Sequence, residues 1–195
     1  MMSPVSHDTP APLPALRRRL ARFRRDKRGT VSVESVIVLP LLMLWFVASF
    51  VFFDIYLTNS INEKAAYTVS DLLSRHRNSS RVNNAYIDGL NRVFDFLINN
   101  RGDTWIRTTS VKYDETDDKY GAEWSYATHG KPRLTDSDVE ALRDRLPVMP
   151  GNETIILVET FTEYTPAFDV GIGPQTFRTF IFTRPRFVIE VLYEP

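Results

Sequence analysis

The sequence predicts an α+β protein in which a long N-terminal transmembrane helix extends into an extracytoplasmic domain with an antiparallel sheet. Three observations predict it. Residues 35–53, SVIVLPLLMLWFVASFVFF, run nineteen positions without a charge. From residue 30 to residue 77 there is no glycine and one proline, so a helix begun in the membrane can continue past it. Beyond residue 104, apolar and polar residues alternate in short runs with only a brief helical signal among them, the pattern of an antiparallel sheet.

The first 29 residues form a leader. Pro4, Pro10, Pro12 and Pro14 make residues 1–16 a disordered cytoplasmic tail by composition. Residues 1–29 hold eight basic and two acidic side chains, and the remaining 166 residues hold 16 and 22, so a formal net charge of zero conceals opposite halves. Arg17, Arg18, Arg19, Arg22, Arg24, Arg25, Lys27 and Arg28 stand directly before the apolar run. This bias places the N-terminus in the cytoplasm and the chain from about residue 55 onward across the membrane. Topology and anionic lipid explain the arginines, so no nucleic-acid partner is expected.

The apolar run spans a bilayer by length. At about 1.5 Å per residue, nineteen residues reach roughly 29 Å, near the thickness of the hydrocarbon core. A buried helix of a soluble protein normally keeps a polar stripe over this length, and none is visible. A cleaved secretory signal has a shorter apolar core, typically about 7–15 residues, followed by small residues. Here the run is longer and ends in Phe52, Phe53, Asp54 and Ile55, a poor cleavage site of that kind. The expected organisation is a leader over 1–29, a transmembrane helix over 30–57 and an extracytoplasmic α+β domain over 58–195.

Beyond the membrane, Ile61, Ala65, Val69 and Leu72 recur at helical spacing and predict a face for a globular partner. Asn78-Ser79-Ser80 breaks the helix. A second helix is predicted over about 83–99, with Tyr86, Leu90, Val93, Phe94 and Leu97 on one face and Asn100-Arg101-Gly102 as its stop. Strands follow at 105–113 and 122–128, joined by an acidic loop, with Trp124 and Tyr126 alternating against Glu123 and Ser125. Thr135-Asp136-Ser137-Asp138 is a capping signal for a short helix carrying Val139, Leu142 and Leu146. The last strands are read at about 154–165, 176–183 and 186–193, with Gly171, Gly173 and Pro174 turning the chain between the first two.

Groups for chemistry are sparse. There is no cysteine, which excludes a disulfide scaffold, a thiolate metal site and a cysteine nucleophile. His7, His76 and His129 have no sequence neighbours that make a ligand or triad pattern. Gly171-Ile172-Gly173 lacks the helix start that a phosphate loop needs. Asp114-Glu115-Thr116-Asp117-Asp118 gathers carboxylates but lacks the glycine and distal glutamate of a calcium loop, and it reads as a solvated hairpin tip. Asn78-Ser79-Ser80 and Asn152-Glu153-Thr154 match the glycosylation triplet, a pattern common by chance. No enzyme activity, cofactor, metal or small-molecule substrate is expected. The 13 Phe, 8 Tyr and 3 Trp are accounted for by a sheet core and interfacial anchors such as Trp45 and Tyr56.

One acid stands out. Glu34 lies five residues after Gly29, inside the start of the apolar helix, where a carboxylate is costly unless it reaches headgroups or a counter-charge. The order basic leader, Gly29-Thr30-Val31-Ser32-Val33-Glu34, then span resembles the type IV prepilin family. That resemblance implies cleavage by a prepilin peptidase between Gly29 and Thr30. Glu34 becomes the fifth mature residue, facing the new α-ammonium of a neighbouring subunit. The stretch FRRDKRGTVSVESVIVLPLLML, with Pro40 in the apolar helix, looks like the opening of the TadE/TadF pseudopilins of the Tad (Flp) tight-adherence pilus system. Val158-Glu159, Tyr164 and Pro166, then Arg184-Pro185-Arg186-Phe187, resemble that group's C-terminal pattern; residues 80–150 match only in texture.

The resemblance implies a pilin-like architecture and a single-pass protein of the bacterial inner membrane, with its C-terminal domain periplasmic and a place at or in the pilus. It implies partners among pilins, pseudopilins and Tad assembly proteins, and a role in secretion and assembly of an adhesive fibre. Pro40 is expected to bend the span. The alternative is an uncleaved membrane-anchored adaptor of the same machinery, in which Glu34 is incidental.

Overall fold

The computed structural model describes residues 30–77, 81–151 and 153–195. They divide into two units, the first ending at Ala48 and the second running from Ser49 to Pro195. The first contains the start of helix α1 (Thr30–Ser74). Every side chain from Val31 to Phe46 is exposed. Pro40 lies within α1, and the helix runs on through it. The missing N–H of Pro40 leaves the Val36 carbonyl without its helical donor.

In the second unit α1 becomes one-sided. Thr58, Asn62, Ala65, Ala66, Val69, Ser70, Leu73 and Ser74 are buried, in steps of one, three or four residues. The sequence put Leu72 at the end of this stripe, but Leu72 is 40% exposed and Leu73 is fully buried. A full four-residue step from Val69 keeps the face aligned, whereas a three-residue step rotates it outward.

A two-residue strand, β1 (Val82–Asn83), leads into α2 (Asn84–Leu97). The Asn83 side chain caps the helix by accepting from the Tyr86 N–H at 2.9 Å. Ile87, Leu90, Asn91 and Phe94 form its buried face. Val93, placed on that face by the sequence, is partly exposed instead. Each large apolar side chain buried here contributes about 1.5–3 kcal/mol. Asn99 and Asn100 end the helix in left-handed conformations, φ 58° and 50°, and Gly102 follows at φ 81°. A Cβ on Gly102 would collide with the Glu163 carbonyl oxygen. Gly102→Ala is therefore expected to destabilise the second unit by roughly 1–3 kcal/mol or more, read as an earlier urea midpoint.

The sheet has four antiparallel strands in the order β3-β2-β4-β5: β2 (Thr104–Asp114), β3 (Lys119–Ala127), β4 (Thr154–Tyr164) and β5 (Gln175–Thr183). Alternation along β4 separates two cores. Ile156 and Val158 join Ile106 and Ile181 against Ala65, Ala66, Val69 and Leu73 of α1 and Phe94 of α2. Ile155 and Leu157 join Val111 on the opposite face and meet Val139, Leu146 and Met149. Those last residues come from the β3–β4 crossing, which carries the short helix α3 (Asp136–Glu140) and a 3-10 turn at Arg143–Arg145. Thr135 and Asp138 close the capping box that the sequence signals. Helices on one face and a short helical crossing on the other make a three-layer α+β unit.

The strand read over 186–193 is absent. Pro185 has no N–H to offer a ladder, and the Arg186 N–H donates instead to the Ser74 carbonyl at 2.8 Å. Further on, the Thr154 hydroxyl donates to the Ile189 carbonyl at 2.6 Å and the Trp124 indole to the Val191 carbonyl at 2.8 Å. Side chains thus occupy carbonyls that a strand would give to its neighbour. Only β6 (Tyr193–Glu194) pairs, and it runs parallel to β1.

Candidate functional site

From Val31 to Phe46, α1 exposes its side chains. On α1, Val31, Glu34, Ser35, Val38, Leu39 and Leu42 recur at three- and four-residue spacing and share one face. The Ser35 hydroxyl donates back to the Val31 carbonyl at 2.8 Å, so this polar side chain is satisfied within its own helix. Glu34 is exposed on that face and is its one charged residue. A carboxylate so placed is stabilised in a dry medium only by a cation or a donor. Thr30 is the first residue of α1. Gly29, and with it the bond where cleavage is expected and the arginine-rich leader, lies outside the described residues, as do residues 78–80 and Asn152. By length and composition, α1 is long and apolar enough to cross a bilayer.

Where the apolar run ends, polar groups converge. Asp54 is its first charge. Tyr164, at the end of β4, donates its hydroxyl to Asp54 Oδ2 at 2.7 Å. Arg101 Nη1 donates to Asp54 Oδ1 at 3.3 Å and to the Thr58 hydroxyl at 3.4 Å. The Thr162 hydroxyl donates to Asn62 Oδ1 at 3.1 Å, next to this cluster. Burial, reinforced by the Asp54 carboxylate, pushes the Tyr164 phenol up to about 12. The phenol is therefore the donor in this bond across the physiological range. A cleft of about 300 Å³ opens among Asp54, Thr58, Arg101, Glu163 and Tyr164.

A second cluster sits in the sheet. Glu159 of β4 is fully buried and lies opposite Arg107 of β2. Arg107 Nε donates to Glu159 Oε2 at 2.6 Å, and Arg178 of β5 donates to Oε1. Arg107 also donates to the Pro132 carbonyl at 3.1 Å. Trp105 and Phe161 stack beside this triad with ring centroids 3.6 Å apart, and both guanidinium groups lie over the Phe161 ring. The carboxylate has a donor on each oxygen, which allows a charge to stay buried.

Both C-terminal motifs singled out in the sequence act as tethers. Glu159 holds three strands together, and Tyr164 ties β4 to α1. Arg186 pairs with Asp71 at 2.9 Å, Arg184 with Glu153 at 2.8 Å, and Phe187 lies under the Arg77 guanidinium at 4.9 Å. In the sequence Glu159 is singled out only within the C-terminal motif; an acid inside the run IILVETF is the signal that marks it as buried, and its partners Arg107 and Arg178 carry no signal of their own.

The other chemistry-bearing groups among the described residues lie apart from these two clusters or at their edge. His129 Nδ1 lies 3.1 Å from the Thr104 carbonyl, at the edge of a cavity of about 560 Å³ that Asp95, Asp103, Glu163 and Lys131 also line. His76 packs against Tyr86. Among the described residues, no group of three His, Asp or Glu side chains is placed to hold a metal ion. The acidic hairpin tip uses its own donors: Asp114 accepts from the Thr116 N–H at 2.8 Å, and Asp118 accepts from the Tyr113 hydroxyl at 2.8 Å and from Arg143. These bonds hold the Asp114 and Asp118 carboxyls below the usual range. Compared with known proteins, the chain matches no family model, no curated protein and no solved structure.

Proposed function

We propose that this protein is a single-pass inner-membrane pseudopilin, or minor pilin, of a Tad (Flp) type pilus system. In this reading α1 spans the bilayer, its N-terminal end is cytoplasmic, and the second unit stands in the periplasm. A prepilin peptidase removes residues 1–29, and the mature chain takes part in assembling an adhesive fibre with other pilins and Tad assembly proteins. The chain is the peptidase's substrate and performs no catalysis of its own.

One observation carries the reading: Glu34 lies five residues after Gly29, exposed on the helix just ahead of the apolar run, and eight basic residues precede it. Cutting after Gly29 removes the basic leader and creates a cation beside the depth at which Glu34 needs one. The α+β unit behind a long N-terminal helix agrees with a pilin-like build.

The test is the mass of the chain recovered from membranes. Co-expression with a prepilin peptidase is expected to shorten it by 29 residues, leaving Thr30 as the N-terminus, and Gly29→Leu is expected to abolish the shortening. A chain that keeps its arginine leader in native cells would turn the reading into that of an uncleaved adaptor.

A further inference from the structure

We propose that the β4–β5 loop, residues 165–174, is a second membrane contact that seats Phe168 in the headgroup–acyl interface beside the emerging helix. The inference rests on the reading of α1 as a membrane span and adds a second element to it. The Phe168 ring meets the Phe50 ring edge to face, with centroids 6.3 Å apart. Phe50 lies three residues before Phe53, the last residue of the uncharged run, which is about 4.5 Å along the helix axis. A loop touching Phe50 therefore reaches below the apolar limit of its own helix.

Burial along α1 agrees. Val51 is 1% exposed, while Phe50, Phe52 and Phe53 are 54%, 69% and 70% exposed. The protein thus covers one side of this turn and leaves the rest of it open. The polar boundary lies one step further on, where Asp54, Arg101 and Tyr164 meet. From Tyr164 the chain passes this boundary as Thr165-Pro166-Ala167-Phe168. It turns through Gly171, at φ 88°, and returns as β5.

The composition of the loop fits lipid. Phe168 is 52% exposed, and Val170 and Ile172 accompany it. Asp169 is the only charge, and one of its oxygens accepts from the Gly171 N–H at 3.1 Å. Interfacial elements sit about 5–10 Å into the boundary between headgroups and acyl chains. At that depth a phenylalanine enters the acyl chains while a neighbouring carboxylate stays among headgroups, where its penalty is small. Phe50, Phe52, Phe53 and Tyr56 are exposed around the same level, so the loop continues an aromatic girdle that the helix starts. A loop anchored there restrains the tilt of the second unit against the membrane plane.

The chain has no cysteine, so single labelling sites can be introduced into the full-length protein. Spin labels at Phe168→Cys and Ala167→Cys, both exposed positions, would be read in vesicles of phosphatidylethanolamine and phosphatidylglycerol. Leu42→Cys marks the span. Val148→Cys, which is 94% exposed and lies beyond the opposite end of β4, marks solvent. The expected result is that collisions with oxygen exceed collisions with a water-soluble nickel chelate several-fold at 168, as at 42, with the reverse at 148. Nickel-dominated collisions at both 167 and 168, with 42 still oxygen-dominated, overturn the loop contact and leave the span intact. Shielding from both reagents at 168 overturns it in favour of a protein partner. Nickel-dominated collisions at 42 overturn the span, and the loop contact with it.

Discussion

Glu159→Ala is expected to lower the stability of the second unit by about 3–5 kcal/mol, the range for breaking a buried ion pair from one side. The Glu159 side chain has no exposure, and that of Arg107 is 11% exposed. Removing the carboxylate leaves Arg107 charged between strands, with its other hydrogen bond going to the Pro132 carbonyl. The Trp105–Phe161 stack lies against the same guanidinium, so loosening also changes the environment of Trp105. The measurement is urea unfolding of the full chain in bicelles, followed by tryptophan emission. Arg178→Ala is the comparison. Arg178 is 42% exposed, and solvent replaces most of what it gives, so its loss is expected to be below about 1 kcal/mol. Replacing Glu159 with Leu and Arg107 with Met together is expected to recover most of the stability, because apolar groups of similar volume need no partner. If Glu159→Ala unfolds within about 0.5 kcal/mol of the wild type, well under that range, the triad does not organise the sheet.

The second large effect concerns assembly. Glu34→Ala is expected to leave removal of residues 1–29 intact while strongly reducing incorporation into pili, measured as sheared-fibre protein against membrane-bound mature chain. The peptidase needs the glycine bond, whereas the carboxylate acts only after that bond is cut. In a medium drier than water the attraction between an α-ammonium and a carboxylate is many times its value in solution, and a lone member is heavily penalised. Glu34→Gln keeps the shape and loses the charge, so it should follow Glu34→Ala. Glu34→Lys should be worse than either, since two cations then meet. Wild-type levels of assembly by Glu34→Ala would remove charge pairing from the proposal and leave cleavage standing.

Much of the architecture is written locally. The uncharged run at 35–53, the absence of glycine from 30 to 77 and the Thr135 capping signal are each read from one continuous stretch of chain. Helix α1, helix α3 and the four long strands therefore appear in the structure near their predicted places. Errors occur where local pattern competes with side-chain tethers. Residues 186–193 alternate like a strand, yet Arg186, Ile189 and Val191 spend their backbone groups on Ser74, Thr154 and Trp124. Leu72 and Val93 sit at helical spacings that satisfy the pattern, and packing chose Leu73 and Ile87.

By itself, the sequence determined that one end of this chain is apolar enough to cross a membrane, that a basic leader and a lone carboxylate flank its start, and that an α+β unit follows. Only the tertiary structure decided where Glu159 finds Arg107, 52 residues away, and where Asp54 finds Tyr164, 110 residues away. It also decided that the β4–β5 loop meets Phe50. Helix and strand preferences arise from neighbours within a turn or a pleat. Partners this distant are set by strand order and register, which exist only once the whole sheet has closed on its helix.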